Sequence, residues 1–318
     1  MRRLSDGAFH SGQDLAREFG LSRASVFNVL TQAEGLGLRV HAVRGRGYRL
    51  PDAIAWLTDA EIARHLADLN TAYDVRILES VDSTNSFLMA EALRGAPDGT
   101  VIVAEHQQAG RGRRGRSWYA APGASLTFSV LWRFESGLQA ISGLSLAVGV
   151  AIARALNRHS RYPVRLKWPN DVLVDYRKLA GILIEVQGDM HGAAFAVAGI
   201  GLNVRLRESQ RDRIDQAVID LEEMGVTIDR NRLLADCLRE LHEVVGLFRQ
   251  AGFAALQEDW RRHDAYTGKP VSLHLPDNQK VYGVAAGVDA AGAFVLNAQD
   301  GTQHTFSGGE ISLRLGGG

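Results

Sequence analysis

The sequence predicts an α+β protein in three parts: an N-terminal winged helix-turn-helix, a central domain built on one mixed sheet backed by helices, and a small C-terminal β-barrel. Three observations carry that expectation. Two short amphipathic helical segments meet at a tight Gly20-Leu21-Ser22 turn and are followed by a basic hairpin. From about residue 75 to 265, apolar strand-like runs mix with helical patterns. After Trp260 the texture changes to short β segments separated by Gly and Asp turns.

In the first part, Gln13 to Phe19 forms a helix, Ser22 caps a second helix from Arg23 to Leu30, and Leu38 to Val43 alternates as a strand. Arg44 to Arg49 is a wing tip returning as a second strand, and Pro51 ends the unit. Thr58 to Ala63 opens a short helix into the central domain. There, strands are predicted at Val75–Glu79, Thr100–Glu105, Leu126–Arg133, Val164–Lys167, Val172–Val174, Gly181–Val186 and Ala194–Gly199. Helices are predicted at Asn85–Leu93, Leu144–His159 and from Arg230 to about His263. The final strands are Pro270–Leu275, Lys280–Val288, Ala293–Leu296 and Thr302–Leu315, with one turn at Pro276-Asp277-Asn278.

Composition narrows the function. The chain has 318 residues and zero formal net charge, which excludes nucleic-acid binding through overall charge. The first fifty residues nonetheless hold eight arginines against four acids, as a small nucleic-acid-contacting module would. The single cysteine, Cys237, excludes a disulfide framework and falls in an amphipathic helical pattern that suits a buried, inert thiol. No apolar run is expected to span a membrane and no signal-peptide core is seen, so the expected location is cytoplasmic with no membrane partner. Of 36 basic residues only four are lysine: Lys167, Lys178, Lys269 and Lys280. Where arginine serves for general positive charge, a lysine marks a place that needs a compact ammonium, or falls there by chance.

Four central motifs bear chemistry. Asp82-Ser83-Thr84-Asn85 stands at a strand-to-helix corner; capping alone explains its residue types, and so does a polar uncharged ligand group. Gly110 to Trp118 reads Gly-Arg-Gly-Arg-Arg-Gly-Arg-Ser-Trp, a loop that can be disordered when empty and close over an anion when full. Lys167-Trp168-Pro169-Asn170-Asp171 is either a plain turn or an exposed aromatic plate beside Asn and Asp, suited to a nucleotide base and a metal. Lys178 opens an apolar strand that ends in Glu185; it blocks an edge or serves the site. There is no nucleophile elbow, no Walker loop, no His-Glu-x-x-His and no dinucleotide glycine loop opening a helix. Cations around a glycine loop suit adenylation, in which a carboxylate attacks the α-phosphorus of ATP and catalysis is positioning plus neutralisation.

These blocks, with Ser83-Thr84-Asn85 before them and Gly309-Glu310-Ile311-Ser312-Leu313-Arg314 at the close, resemble the signatures of the biotin–protein ligases. Together with the helix-turn-helix the likeness extends over essentially the whole chain, in the form that is both ligase and biotin operon repressor. The resemblance implies a class II aminoacyl-tRNA-synthetase-like central domain, an SH3-like final barrel, and domains of residues 1–56, 57–265 and 266–318. It implies that biotin and MgATP give biotinyl-5′-AMP, which then acylates a lysine of the biotin carboxyl carrier protein of acetyl-CoA carboxylase. Ser83, Thr84, Asn85 and Gln107 would take the biotin head group, and Gly199, Gly201 and Asn203 would lie at the floor of the site. Lys178, Arg113 and Arg111 would be catalytic: Arg111, Gly112 and Arg113 would fold over the activated acyl group, and Lys178 would meet the carboxylate and α-phosphate. Trp118 would stack on adenine, Asn170 and Asp171 would support nucleotide or Mg2+, and Arg314 would reach in from the barrel. No metal ligand set is assigned. Homodimerisation on loading with adenylate, and binding of biotin operator DNA, complete the expectation.

The sequence departs from the family in the second helix of the N-terminal module, where residues 27–34 carry no lysine or arginine. Base readout would then fall to Ser22, Arg23, Ser25, Asn28 and Gln32, with Arg44 and Arg46 on phosphates. Two rival readings are a lipoate–protein ligase and a transcription regulator whose ligase-like domain only senses a ligand.

Overall fold

A computed structural model describes every residue except 36, 52, 70, 71, 276–278, 308–311 and 316–318. The predicted turn at Pro276-Asp277-Asn278 and the closing residues Gly309, Glu310 and Ile311 therefore lie outside the described residues.

The N-terminal part forms helices α1 (Gly12–Glu18) and α2 (Arg23–Gly35) and a hairpin of β1 (His41–Val43) with β2 (Gly47–Arg49). Ser22 caps α2 as predicted, its Oγ accepting from the Ser25 N–H at 3.0 Å. Val26, Leu30 and Ala33 share one helical face and are buried with Leu15, Leu38 and Leu50 in a small separate core.

The linker is pinned to the central domain. The Leu57 N–H donates to Glu105 Oε1 at 2.7 Å, and Glu105 Oε2 lies 2.7 Å from the Arg230 guanidinium. Both side chains are almost completely buried. Arg230 also donates to the carbonyls of Ala55 and Ser125. Helix α3 (Asp59–His65) follows, capped by Thr58.

The central sheet contains β3 (Asp74–Leu78), β4 (Thr100–Ala104), β5 (Ser125–Phe134), β6 (Arg165–Lys167), β7 (Asp171–Val174), β8 (Arg177–Gly188) and β9 (Ala194–Asn203), in the order β3-β4-β5-β9-β8-β7-β6. Only β3 and β4 run parallel, joined by α4 (Thr84–Leu93). Helices α5 (Leu144–Asn157) and α7 (Arg230–Ala251), with short α6 (Glu208–Arg211) between them in sequence and α8 (Gln257–His263) after, complete this part. Strand residues Leu126, Phe128, Val130, Ile182, Ile200 and Leu202 belong to the large core with α5 and α7. The alternate positions on β5 and β9 turn to the other face, where Leu131 and Val197 pack against Leu88 of α4. Helix α4 covers only part of that face, and the glycine-arginine loop covers the rest.

The expectation that no stretch matches a membrane span needs correction. Residues Leu138–Asn157 are long and apolar enough by composition. Their apolar character is explained by burial: α5 is the central core helix, with eleven of its residues buried. Cys237 is fully buried in α7, and burial pushes its thiol pKa up, as an inert thiol requires.

The C-terminal part is a five-stranded antiparallel sheet of β10 (Pro270–His274), β11 (Lys280–Val288), β12 (Phe294–Ala298), β13 (Gln303–Phe306) and β14 (Ser312–Leu315), ordered β13-β12-β11-β10-β14. The segment Thr302–Leu315, predicted as one strand, is two. Phe294, Leu296 and Leu313 join the large core of the central domain, so the two parts share one interior.

Candidate functional site

The site is built on two glycines. At Gly199 of β9 an added Cβ would lie 2.3 Å from Asn85 Oδ1, and at Gly201 it would lie 2.3 Å from the Trp118 ring. The floor therefore admits Asn85 and Trp118 only because these positions lack side chains. Gly199→Ala is expected to push Asn85 out of place and raise the KM for the small-molecule acid by about tenfold, equivalent to roughly 1.4 kcal/mol; steady-state kinetics with the acid varied checks it, and an unchanged KM would remove Asn85 from the site.

Around that floor stands a neutral polar cradle. Ser83 caps α4, and Ser83, Thr84, Asn85 and Gln107 are all buried. Gln107 Oε1 accepts from the Thr84 N–H at 2.7 Å, which fixes the Gln107 amide. Asn85 Oδ1 lies 2.7 Å from the hydroxyl of Ser129 on β5, and its Nδ2 donates to Glu185 Oε2 at 2.9 Å and to the Leu183 carbonyl.

The loop from Gly110 to Trp118 is a compact hairpin. Trp118 N–H donates to the Gly110 carbonyl at 2.8 Å and Gly112 N–H to the Arg116 carbonyl at 2.7 Å, with Arg114 at φ +58° making the turn. Arg111 pairs with Glu185 at 2.6 Å, and Arg113 donates to Asn170 Oδ1 at 3.1 Å. The Trp118 indole lies against Gly181 and Gly201 with the Lys178 Nζ 5.8 Å from its ring centre. Its N–H is buried and has no partner among the described residues, a donor left for a ligand.

The cations gather at the other end. Lys178 Nζ lies 2.6 Å from Asp171 Oδ1. The Lys178 carbonyl accepts from the Ile219 N–H and from the Asn203 amide, which sets the strand from which the ammonium projects. Burial draws the Arg113 guanidinium below its ordinary pKa, with Asp171 opposing. Lys167 is lowered too, first by burial and then by Arg314, Lys178 and Arg116, while Asp171 opposes. Half-buried Arg113, Lys167 and Lys178 and exposed Arg116 and Arg314 gather positive charge here, which fits an anionic ligand.

Two connected cavities result. The inner one, of ≈ 50 Å³, is lined by Ser83, Thr84, Asn85, Gln107, Arg111, Gly112, Arg113, Trp118, Asn170, Lys178, Gly199 and Gly201. The outer one, of ≈ 850 Å³, shares Trp118, Asn170 and Lys178 and adds Arg116, Lys167, Asp171 and Arg314. One end is neutral and hydrogen-bonding; the other is cationic and roomy. The lining of the first suits an uncharged polar head group, and the second has the room and the charge for a nucleotide.

Two expectations fail. Trp168 is not an exposed plate: it is buried against Phe294, with ring centres 5.4 Å apart, and its N–H donates to the Gly292 carbonyl, so it seals the joint with the C-terminal sheet. Asn203 does not line either cavity; its amide is spent on the carbonyls of Lys178 and Ile219. Ser129, Thr127 and Glu185 were missed. Ser125, Thr127 and Ser129 alternate with apolar residues along β5, and that alternation is the signal that marked their face.

On the N-terminal part, Ser22, Arg23, Asn28, Gln32, Arg44 and Arg46 are exposed and Ser25 is half-buried. The guanidinium groups of Arg46 and Arg49 lie over the Phe9 ring at 4.4 and 4.8 Å. Helix α2 also exposes Phe27 and Val29. Among the described residues no group of three His, Cys, Asp or Glu could hold a metal ion.

Residues 77–203 match the biotin/lipoate A/B protein ligase family, residues 266–314 the biotin protein ligase C-terminal domain, and residues 1–49 an HTH domain. The chain is 40% identical to the bifunctional ligase/repressor BirA of Salmonella typhimurium, over 98% of this chain and 95% of that protein. It is 38% identical to the biotin–[acetyl-CoA-carboxylase] ligase of Mycobacterium tuberculosis, over 75% of this chain and 88% of that protein. Its structure is similar to that of a biotin protein ligase from Aquifex aeolicus in complex with biotin and ATP, at 28% identity and a TM-score of 0.64, covering 76% of this chain and 99% of that one.

Proposed function

The chain belongs to the biotin–protein ligases that also carry a repressor's helix-turn-helix, and on that premise we propose that biotinyl-5′-AMP is made and held in the two cavities beneath the Gly110–Trp118 loop. The protein is an ATP-dependent biotin–[acetyl-CoA-carboxylase] ligase with a DNA-binding repressor domain. The observation that carries the site assignment is the polarity of the joined cavities, neutral around Asn85 and cationic around Lys178.

In the first step a biotin carboxylate oxygen bonds to the α-phosphorus of ATP while the bond from that phosphorus to the pyrophosphate oxygen breaks. Lys178 is the catalytic residue: its ammonium neutralises charge gathering on the carboxylate and α-phosphate. In the second step the amine of the carrier's lysine bonds to the acyl carbon, the acyl–oxygen bond breaks, AMP leaves, and the amine's proton passes to solvent. Ser83, Thr84, Asn85 and Gln107 hold the ureido ring, which needs donors and acceptors together, and Gly199 and Gly201 make room for Asn85 and Trp118 beneath it. Arg111, Gly112 and Arg113 close over the acyl phosphate. Trp118, Asn170, Asp171 and Arg314 serve the nucleotide. Asn203 acts beneath the site by holding the Lys178 backbone.

Mg2+ is proposed to enter with ATP and to shield its phosphates. Asp171 is the carboxylate nearest Lys178 on the outer cavity, and a hard cation that keeps its waters and the nucleotide's phosphates needs only one or two such groups.

The remaining assignments rest on the same membership. The three domains are residues 1–56, 57–265 and 266–318, the second class II synthetase-like and the third SH3-like. The carrier is the biotin carboxyl carrier protein of acetyl-CoA carboxylase, the protein is cytoplasmic, and loading with adenylate favours a homodimer. Ser22, Arg23, Ser25, Asn28 and Gln32 face operator bases while Arg44 and Arg46 grip phosphates.

Mass spectrometry of a candidate carrier after incubation with MgATP and either biotin or lipoate tests the reading: one biotinyl group on one lysine is expected, and lipoyl transfer alone would overturn it. Arg113→Gly should loosen the flap and raise carrier-independent biotinylation of a bystander protein by about tenfold, as loss of roughly 1.4 kcal/mol of retention would; unchanged labelling of albumin would remove Arg113 from the flap's grip.

A further inference from the structure

The stretch from Gln107 to Arg111, which leads into the flap, is linked to the start of helix α4 at both ends, directly at Gln107 and through Glu185 at Arg111. At one end, Gln107 Oε1 accepts from both the N–H and the Oγ1 of Thr84, at 2.7 and 3.1 Å. At the other, Arg111 and Asn85 converge on a single oxygen, Glu185 Oε2, at 2.6 and 2.9 Å. Ser129 joins the two halves, its hydroxyl 2.7 Å from both Thr84 Oγ1 and Asn85 Oδ1. The polar chain thus leaves the flap at Gln107, crosses the head-group cradle, and returns to the flap at Arg111.

We infer that Glu185 is a positioning residue that couples occupancy of the cradle by the biotin ring to closure of the flap over the adenylate. This rests on the site reading above. The carboxylate accepts from Asn85, and so orients the amide that faces the ureido ring, and it supplies the anchor for Arg111. A ligand that holds Asn85 in this orientation also holds the anchor in place, and one with the wrong head group weakens both. The pair with Arg111 is partly exposed on both sides, 45% and 27% for the two side chains. Exposed pairs of this kind are weak and screened by solvent, which makes this one a latch that opens each cycle to admit the carrier's lysine.

Glu185→Gln tests it, because glutamine keeps the shape and an acceptor for Asn85 while removing the charge that Arg111 meets. The readout is the rate at which preformed biotinyl-5′-AMP escapes from the enzyme into a chase of unlabelled biotin and MgATP. Escape should quicken by about fivefold and the KM for biotin should rise, while kcat for pyrophosphate release changes less than either. In the Glu185→Gln background, Arg111→Ala should add less than it does in the wild-type chain, since the interaction the two residues share is already gone. Independent, additive effects of the two substitutions, or escape unchanged in Glu185→Gln, would overturn the coupling. Should the glutamine variant fail to fold, the wild-type chain keeps the question open to test: raising ionic strength should hasten escape by screening the exposed pair, and escape indifferent to salt would overturn the proposal. If the wild-type chain forms no adenylate at all, it is the site reading that fails rather than the role of Glu185.

Discussion

Replacing Lys178 with methionine is expected to lower biotin-dependent pyrophosphate release by about 10²–10³-fold, the loss of roughly 3–4 kcal/mol that follows when a preorganised charge is withdrawn from a transition state. Methionine keeps most of the stem that lies beside Trp118, so the change isolates the ammonium. Arginine at this position should rescue poorly, because a planar guanidinium cannot reproduce a compact charge 2.6 Å from Asp171 Oδ1 and beside the loop. Binding of biotin itself should weaken far less, since the head-group cradle is left whole. Turnover within a few fold of the wild type would strip Lys178 of the catalytic role, and with it the reading of the cationic end.

The second large effect is on folding. Glu105→Leu would leave the Arg230 guanidinium buried without its carboxylate and the Leu57 N–H without its acceptor. Breaking one side of a buried pair costs about 3–5 kcal/mol. The expected result is a marked fall in the urea midpoint of the central domain, and the linker at residues 55–57 should become the first site cut by protease, because Glu105 and Arg230 hold its backbone. Adding Arg230→Met to the same chain should recover much of the loss, as a matched apolar pair often does. A Glu105→Leu protein as stable as the parent would show that the linker's anchorage lies elsewhere.

The residues bearing chemistry were legible because their motifs stay together in space. Ser83 to Asn85, the glycine-arginine loop and Lys178 were each read as local runs, and they line one pair of cavities because strand ends and turns deliver them to the same face of the sheet. What could not be read was decided at long range. Trp168 beside Pro169 looked like a surface plate; its burial depends on Phe294, more than a hundred residues away, and no local pattern records that contact. Strand β5 is buried on both faces, so the polar and apolar alternation of Ser125, Thr127 and Ser129 does not mark an exposed face, and nothing local tells a site from solvent there. Glu105 and Arg230 form their pair across 125 positions, and nothing near either residue announces it. Asn203, placed at the floor by the family resemblance, lines neither cavity, because a resemblance does not tell which way an amide is spent.

The account stands on retention of an activated acyl group under the flap. Incubating the full chain with biotin and MgATP, passing it through a gel-filtration column, and extracting the protein peak for mass spectrometry measures that retention directly. The account predicts about one biotinyl-5′-AMP carried with each chain, and discharged on addition of the carrier protein; a protein peak free of adenylate, with pyrophosphate unreleased, would contradict it.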